Sequence, residues 1–137
     1  MENISAKREG LNALLYVATT GWCPYCREFI SDLLGGQSAA LAAGGVKPMF
    51  VVAENDNYEP ATVEYCRAYG RRYADTAIDF YVDPSVEKTR ANFWVFDEEG
   101  GFGYPWTALL NGADATLLYS GPRGPELQSA INEAMSR

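Results

Sequence analysis

The sequence predicts an α/β sandwich built on a partly parallel sheet. Three observations carry that reading. Strand-like and helix-like patterns alternate from the start of the chain. A Cys-x-x-Cys pair, Cys23 and Cys26, stands where the first apolar run gives way to an amphipathic helix. Near the end, two apolar runs flank an Asn-Gly turn and lead into a last amphipathic helix, which reads as a β-hairpin packed by a helix. With 137 residues, 47% of them hydrophobic and 13% aromatic, the chain suits one packed domain spanning residues 1–137.

In chain order, Asn3 to Leu11 has the pattern of a short leading helix. Leu14-Leu15-Tyr16-Val17-Ala18 reads as a buried strand that ends through Thr19-Thr20-Gly21. A helix follows from Cys23 to Leu34, broken by Gly35-Gly36, and Gln37 to Ala43 resumes it before Gly44-Gly45. Lys47 to Glu54, built on Met49-Phe50-Val51-Val52, is a second buried strand, and Asn55-Asp56-Asn57 leaves it as a polar turn. Pro60 is expected to open a helix to about Tyr73, with Val63, Cys66, Ala68 and Tyr69 in helical rhythm. Ala77 to Val82 reads as a short strand, Asp83-Pro84-Ser85 as its turn, and Val86 to Asn92 as a helix. Phe93 to Phe96 is apolar enough for a short strand or a packed loop, and Asp97 to Gly103 is an acidic, glycine-rich turn. Trp106 to Leu110 and Thr116 to Ser120 form the hairpin around Asn111-Gly112-Ala113-Asp114. Gly121-Pro122 closes it, and Pro125 to Met135 is the final helix, with Leu127, Ile131 and Met135 on one face.

A formal charge of −7, without a Lys/Arg cluster, argues against nucleic acid or an anionic membrane surface as partner. No apolar run reaches the roughly 18 residues of a membrane span. The polar opening Met1-Glu2-Asn3-Ile4-Ser5 is not a signal peptide. With Met1 as the native start the expected compartment is the cytoplasm. With a removed leader it is a periplasmic or other extracytoplasmic one, where disulfides persist.

The chemistry concentrates at Trp22-Cys23-Pro24-Tyr25-Cys26. Cys23 falls at the helix N-cap and Pro24 at the first helical position. The backbone N–H groups of Tyr25 and Cys26 then point at the Cys23 sulfur and, with the helix dipole, favour its thiolate. Cys23 is therefore the expected nucleophile. Cys26, three positions on, lies beside it to resolve a mixed disulfide. A structural zinc site is one alternative, but it needs two more ligands, and the chain has no His and one other cysteine, Cys66. An inert structural disulfide is the other, and Pro24 with the strand-to-helix setting favours a reactive pair instead. Cys66 reads as a small core residue of its helix. No metal or organic cofactor is implied.

This order of elements, with Cys-x-x-Cys after the first strand and Tyr104-Pro105-Trp106-Thr107 leading the hairpin, resembles the thioredoxin fold over nearly the whole chain. The resemblance implies a three-layer sandwich, a central mixed sheet with helices on both faces. It also implies a cis Tyr104–Pro105 bond against the two cysteines, with the Tyr104 backbone open to an incoming peptide; a trans proline at a strand entrance is the ordinary alternative. Within that superfamily, Phe80-Tyr81-Val82-Asp83-Pro84 followed by a helix looks like the insertion of the extracytoplasmic TlpA and ResA type. Pro24-Tyr25 is similar to the dipeptide of glutaredoxins and some periplasmic disulfide isomerases, so it does not set the direction of electron flow. The implied activity is thiol-disulfide oxidoreduction on protein disulfides through Cys23 and Cys26. Trp22, Pro24, Tyr25, Tyr104 and Pro105 would be at the substrate surface. Substrate proteins and an electron-donor or acceptor protein are the expected partners, and a monomer the expected state. Disulfide oxidation or isomerisation, or a redox-latched binding module, are the rival readings.

One departure from the thioredoxin pattern bears on mechanism. Thioredoxins carry a buried carboxylate six residues ahead of the first cysteine, and Val17 stands there in this chain. Glu54, at the end of the second strand, is a candidate substitute proton acceptor, and water is another.

Overall fold

The computed structural model describes residues 10–73, 80–83, 85–93 and 103–137, with backbone only at 87 and 91. Among the described residues, five strands form one mixed sheet, in the order β3-β2-β1-β4-β5. At its centre lies β1 (Ala13–Thr20), buried at every position. That burial explains its unbroken apolar run: a strand covered on both faces has no solvent side to be polar. β2 (Val46–Glu54) pairs with β1 in parallel, and β3 (Phe80–Tyr81) continues the parallel side. β4 (Trp106–Asn111) and β5 (Leu117–Pro122) form the antiparallel side, β4 against β1.

Strand parity separates the two cores. Leu15, Val17 and Thr19 face one way, and Leu14, Tyr16 and Ala18 the other. The first face is covered by α1 (Pro24–Ser31), α2 (Ser38–Ala43), α3 (Val63–Arg71) and α5 (Pro125–Met135) through Phe29, Ile30, Leu41, Cys66, Tyr69, Leu127 and Ile131. The opposite face packs Tyr16, Met49, Val51, Trp106 and Leu110 together, with Val86 of α4 (Val86–Asn92) and Phe93 against them. There Tyr16 stacks on Trp106 at 5.2 Å and donates its hydroxyl to Asp83 at 3.2 Å.

Four local expectations need correction. The first helix does not break at Gly35-Gly36. It widens into a π turn over Asp32–Gly36, closed by the Gln37 N–H to the Asp32 carbonyl at 3.1 Å, because two glycines tolerate the extra residue. The third helix starts at Val63 instead of Pro60 and ends at Arg71. Pro60 is held in an antiparallel bridge to Glu54, and Thr62 caps the helix by accepting from the Tyr65 N–H at 3.1 Å. β5 starts at Leu117 instead of Thr116, whose N–H and hydroxyl are both tied to the Asp114 carboxylate at 3.0 and 2.8 Å. It runs on to Pro122 because Trp106 pairs with Pro122 and Thr107 with Gly121. Finally, Ala134 takes a buried place on α5 while Met135 is half-buried.

The leading helix expected over Asn3 to Leu11 lies outside the described residues except at Gly10 and Leu11, which are not helical. Outside them too are Ala77–Asp79 of the expected third strand, Pro84 of its turn, Trp94–Phe96, and all of the acidic turn before Gly103.

Candidate active site

The end of β1 delivers the chain into α1 through Thr20-Gly21-Trp22, and Cys23 takes the N-cap with an extended backbone, φ −91° and ψ 110°. Pro24 occupies the first turn, where its missing N–H costs nothing. The Cys23 sulfur accepts the Cys26 N–H at 3.2 Å, so the sulfur does what a Ser or Asp oxygen does at other helix starts. On its other side the Cys23 thiol donates to the Tyr104 carbonyl at 3.4 Å, across 81 positions of sequence. The Tyr104–Pro105 bond is cis, and Pro105 is buried.

Both sulfurs belong to closed surroundings. Cys23 is 2% exposed and Cys26 0%. Burial pushes the Cys26 thiol well above its ordinary range, and its hydrogen bond with Cys23 adds to that. Bonds from the Thr20 backbone and the Thr19 hydroxyl pull the other way. Thr19 in turn lies 2.9 Å from the Tyr69 hydroxyl, which reaches the Thr20 carbonyl at 3.4 Å.

Around this pair the structure gathers the aromatic residues named from the sequence and adds one. Trp22 meets Tyr104 edge to face at 6.0 Å and stacks on Tyr58 at 4.6 Å. Tyr58 sits in a loop ordered by Asn55, whose side-chain oxygen accepts the N–H groups of Asn57 and Glu59 at 2.8 and 3.1 Å. It holds a left-handed φ of 64°, which a non-glycine residue adopts at a cost. Among the described residues, Tyr25 and Tyr58 are the two most exposed large apolar side chains, at 67% and 65%. Pro24 is exposed as well.

Glu54 takes a structural part. Its carboxylate accepts the Trp22 indole N–H at 3.2 Å, and its backbone carbonyl accepts the Gly21 N–H at 2.9 Å. Cys66 lies in the core at 3% exposure, where burial pushes its thiol up to about 11. Among the described residues no group of three or more His, Cys, Asp or Glu side chains is placed to hold a metal ion, and no helix is long and apolar enough to cross a membrane.

Sequence reading missed Thr19, Tyr69, Tyr58 and Arg123. Arg123, just before α5, donates to the Tyr25 carbonyl at 3.2 Å and pairs with Glu28 at 3.0 Å. For Thr19 the available signal was two threonines ending a strand otherwise wholly apolar. Nothing local marks the others.

No protein-family model matches the chain, and no curated protein matches its sequence. Solved structures do match. A thioredoxin-like protein from Aeropyrum pernix superposes with a TM-score of 0.69 at 19% identity, covering 96% of this chain and 83% of the other. A thiol:disulfide interchange protein of the thioredoxin family from Chlorobium tepidum gives 0.67 at 17% identity, over 96% and 84%. The exposed lipoprotein thioredoxin Etrx1 from Streptococcus pneumoniae gives 0.63 at 20% identity, over 96% and 88%. At these identities the likeness is one of architecture.

Proposed function

From the premise that this chain has a thioredoxin-like fold, we propose that it is a thiol-disulfide oxidoreductase that reduces or exchanges protein disulfides, with Cys23 as nucleophile and Cys26 as resolving thiol. One observation carries the reading: the Cys23 sulfur sits at a helix N-cap between the Cys26 N–H and the Tyr104 carbonyl. The N–H donor stays in place when the sulfur attacks, whereas the carbonyl loses its partner as the thiol proton leaves. An extended substrate supplies a backbone N–H there and is held beside the sulfur as an added strand, over Trp22, Pro24, Tyr25 and Pro105. Cys26 then displaces the substrate sulfur and closes the Cys23–Cys26 disulfide. Neither step uses a metal or an organic cofactor. A second protein returns or removes the two electrons. The lipoprotein among the similar structures supports an extracytoplasmic setting for the same chemistry.

The test is insulin-disulfide reduction with the native protein, Cys23→Ser and Cys26→Ser. Turnover should vanish in both variants, and Cys26→Ser alone should accumulate a mixed disulfide. A native protein that forms the mixed disulfide without turnover would instead be a redox-latched binder. The equilibrium potential of the pair sets the direction: near about −270 mV the protein is a reductant, near about −120 mV an oxidant.

A further inference from the structure

The peptide group between Tyr25 and Cys26 is held at both edges. Its N–H, the Cys26 backbone donor, reaches the Cys23 sulfur at 3.2 Å. Its carbonyl, that of Tyr25, accepts from Arg123 Nη1 at 3.2 Å. The peptide unit is planar and trans, so the two bonds leave opposite edges of one rigid plate, and a group that fixes the carbonyl also aims the N–H. Arg123 is itself fixed. The strand that delivers it pairs Pro122 with Trp106, the Tyr119 hydroxyl donates to the Pro122 carbonyl at 2.7 Å, and Pro125 opens α5 just beyond. The other arm of its guanidinium, Nη2, lies 3.0 Å from Glu28 Oε1, and the guanidinium carbon lies 5.6 Å from the centre of the Phe29 ring. Of the other charged groups on the elements around Cys23, Arg27 is exposed on α1 and Glu54 of β2 is held by the Trp22 indole.

We propose that Arg123 is a positioning residue for Cys23, orienting and polarising the Tyr25–Cys26 peptide group so that its N–H stabilises the Cys23 thiolate. This rests on the oxidoreductase reading above, in which Cys23 is the nucleophile. A guanidinium keeps its charge at any working pH, so its bond to the Tyr25 carbonyl is charge-assisted throughout. That bond draws electron density toward the carbonyl oxygen and makes the N–H at the opposite edge a stronger donor, as bonds in a chain polarise one another. The sulfur gains most when it is an anion, because an N–H bonds a charged acceptor more strongly than a neutral one. The chain from Arg123 through one amide to Cys23 therefore favours thiolate over thiol, from a cation that bonds the amide instead of the sulfur. In the attack, the Cys23 proton leaves to solvent and the Cys23 sulfur bonds to one substrate sulfur. The substrate S–S bond breaks, and the departing sulfur keeps the electron pair and takes a proton from solvent. Arg123 is unchanged by the step.

The experiment isolates Cys23 as the sole thiol in a Cys26→Ser/Cys66→Ala protein, which keeps the backbone N–H at position 26, and follows iodoacetamide alkylation against pH by mass spectrometry. Adding Arg123→Ala should move the alkylation profile toward higher pH by about half a unit, so that alkylation below the midpoint slows about threefold. The plateau rate at high pH, where the sulfur is fully ionised in either protein, should stay the same. The shift should also persist between about 0.1 and about 1 M sodium chloride, since a relay through one amide is not screened as a charge acting through solvent is. Arg123→Lys keeps the charge without the fork and should leave more than half of the shift in place, which tests the same point should the alanine variant fail to fold. An unchanged profile in Arg123→Ala, folded by circular dichroism, would overturn the proposal. Full recovery by lysine, or loss of the shift at high salt, would do so too by reducing the effect to charge alone. A change confined to the plateau would mean altered access to the sulfur and would also sink it. The alkylation measurement needs no substrate. A protein that shows the shift but does not reduce insulin defeats the oxidoreductase reading and leaves the relay standing, and one that reduces insulin with an unmoved profile does the reverse.

Discussion

Arg123 reaches back 98 positions to donate to the Tyr25 carbonyl at 3.2 Å, inside the Cys-x-x-Cys segment. The same guanidinium pairs with Glu28 at 3.0 Å and lies 5.6 Å from the centre of the Phe29 ring, so one side chain grips the first two turns of α1 from the start of α5. The Glu28 partner is well exposed, and the pair alone is worth little. The grip comes from the fork being shared among a carbonyl, a carboxylate and a ring. Arg123→Ala is expected to lower unfolding free energy by on the order of 1 kcal/mol in urea titration. Arg123→Lys should recover less than half of that, since an ammonium cannot span the three partners. Full recovery by lysine would reduce the contact to simple charge.

The three thiols should separate by reactivity. In the reduced native protein near neutral pH, iodoacetamide should modify Cys23 first, because its sulfur lies at the helix N-terminus. Cys26 and Cys66 have thiols pushed up by burial and should react only after denaturant is added. Peptide mapping after timed alkylation reads this directly. Labelling of Cys66 in the folded state at a rate matching Cys23 would mean that α3 opens, since burial pushes the Cys66 thiol up to about 11 while the protein is folded.

The parts of the fold that repeat at short range were legible in the sequence. A central strand apolar at consecutive positions, a cysteine followed by proline at a helix start, and an Asn-Gly turn each state their geometry locally, and β1, the start of α1 and the antiparallel pairing of β4 with β5 appear there. The parts that depend on contacts at a distance were not. Asp32–Gly36 departs from the 3.6-residue period that a helix search assumes, so its glycines read as a break. Tyr69 stands in helical rhythm with Cys66 and reads as core. Its hydroxyl meets Thr19, 50 positions away, only because α3 lands against β1. Tyr58 carries no periodic signal, and its ring finds Trp22 through the Asn55 loop. The Tyr104–Pro105 geometry came from resemblance, since nothing local in that tetrapeptide distinguishes cis from trans.

Stability is expected to fall as pH rises above about 9. The thiols of Cys26 and Cys66 start from an ordinary value of 9.0, and the hydroxyls of Tyr16, Tyr69 and Tyr65 from 10.0; all five are raised in the folded protein. Below pH 9 both folded and unfolded chains hold these protons, so the groups add no pH dependence. Above it the unfolded chain ionises first and binds fewer protons than the folded one, which gives stability a negative slope. For Cys66 the window closes near its folded value of about 11. Urea midpoints measured from pH 8 to 11 should decline, and Cys66→Ala should make the decline shallower over the same range. A flat profile in the native protein would show that these groups ionise without unfolding.

Gly21, the residue between β1 and Trp22, has no room for a side chain. A methyl group there would lie 1.8 Å from the Tyr65 hydroxyl and 2.4 Å from an Asp56 carboxylate oxygen. Those two groups hydrogen-bond each other at 2.5 Å, and Arg72 lies 3.6 Å from the same carboxylate. The glycine backbone cannot give way, because its N–H is fixed to the Glu54 carbonyl at 2.9 Å. Tyr65 must therefore swing aside and surrender its bond to Asp56, and Gly21→Ala should cost on the order of 2 kcal/mol in urea unfolding. A double-mutant cycle distinguishes this from a general intolerance of the turn. In a Tyr65→Ala background the obstructing ring is gone, and the added methyl should cost less than half as much. Additive losses would place the strain in the backbone at Gly21 itself, and the Tyr65–Asp56 pair would then have no part in seating the chain for Cys23.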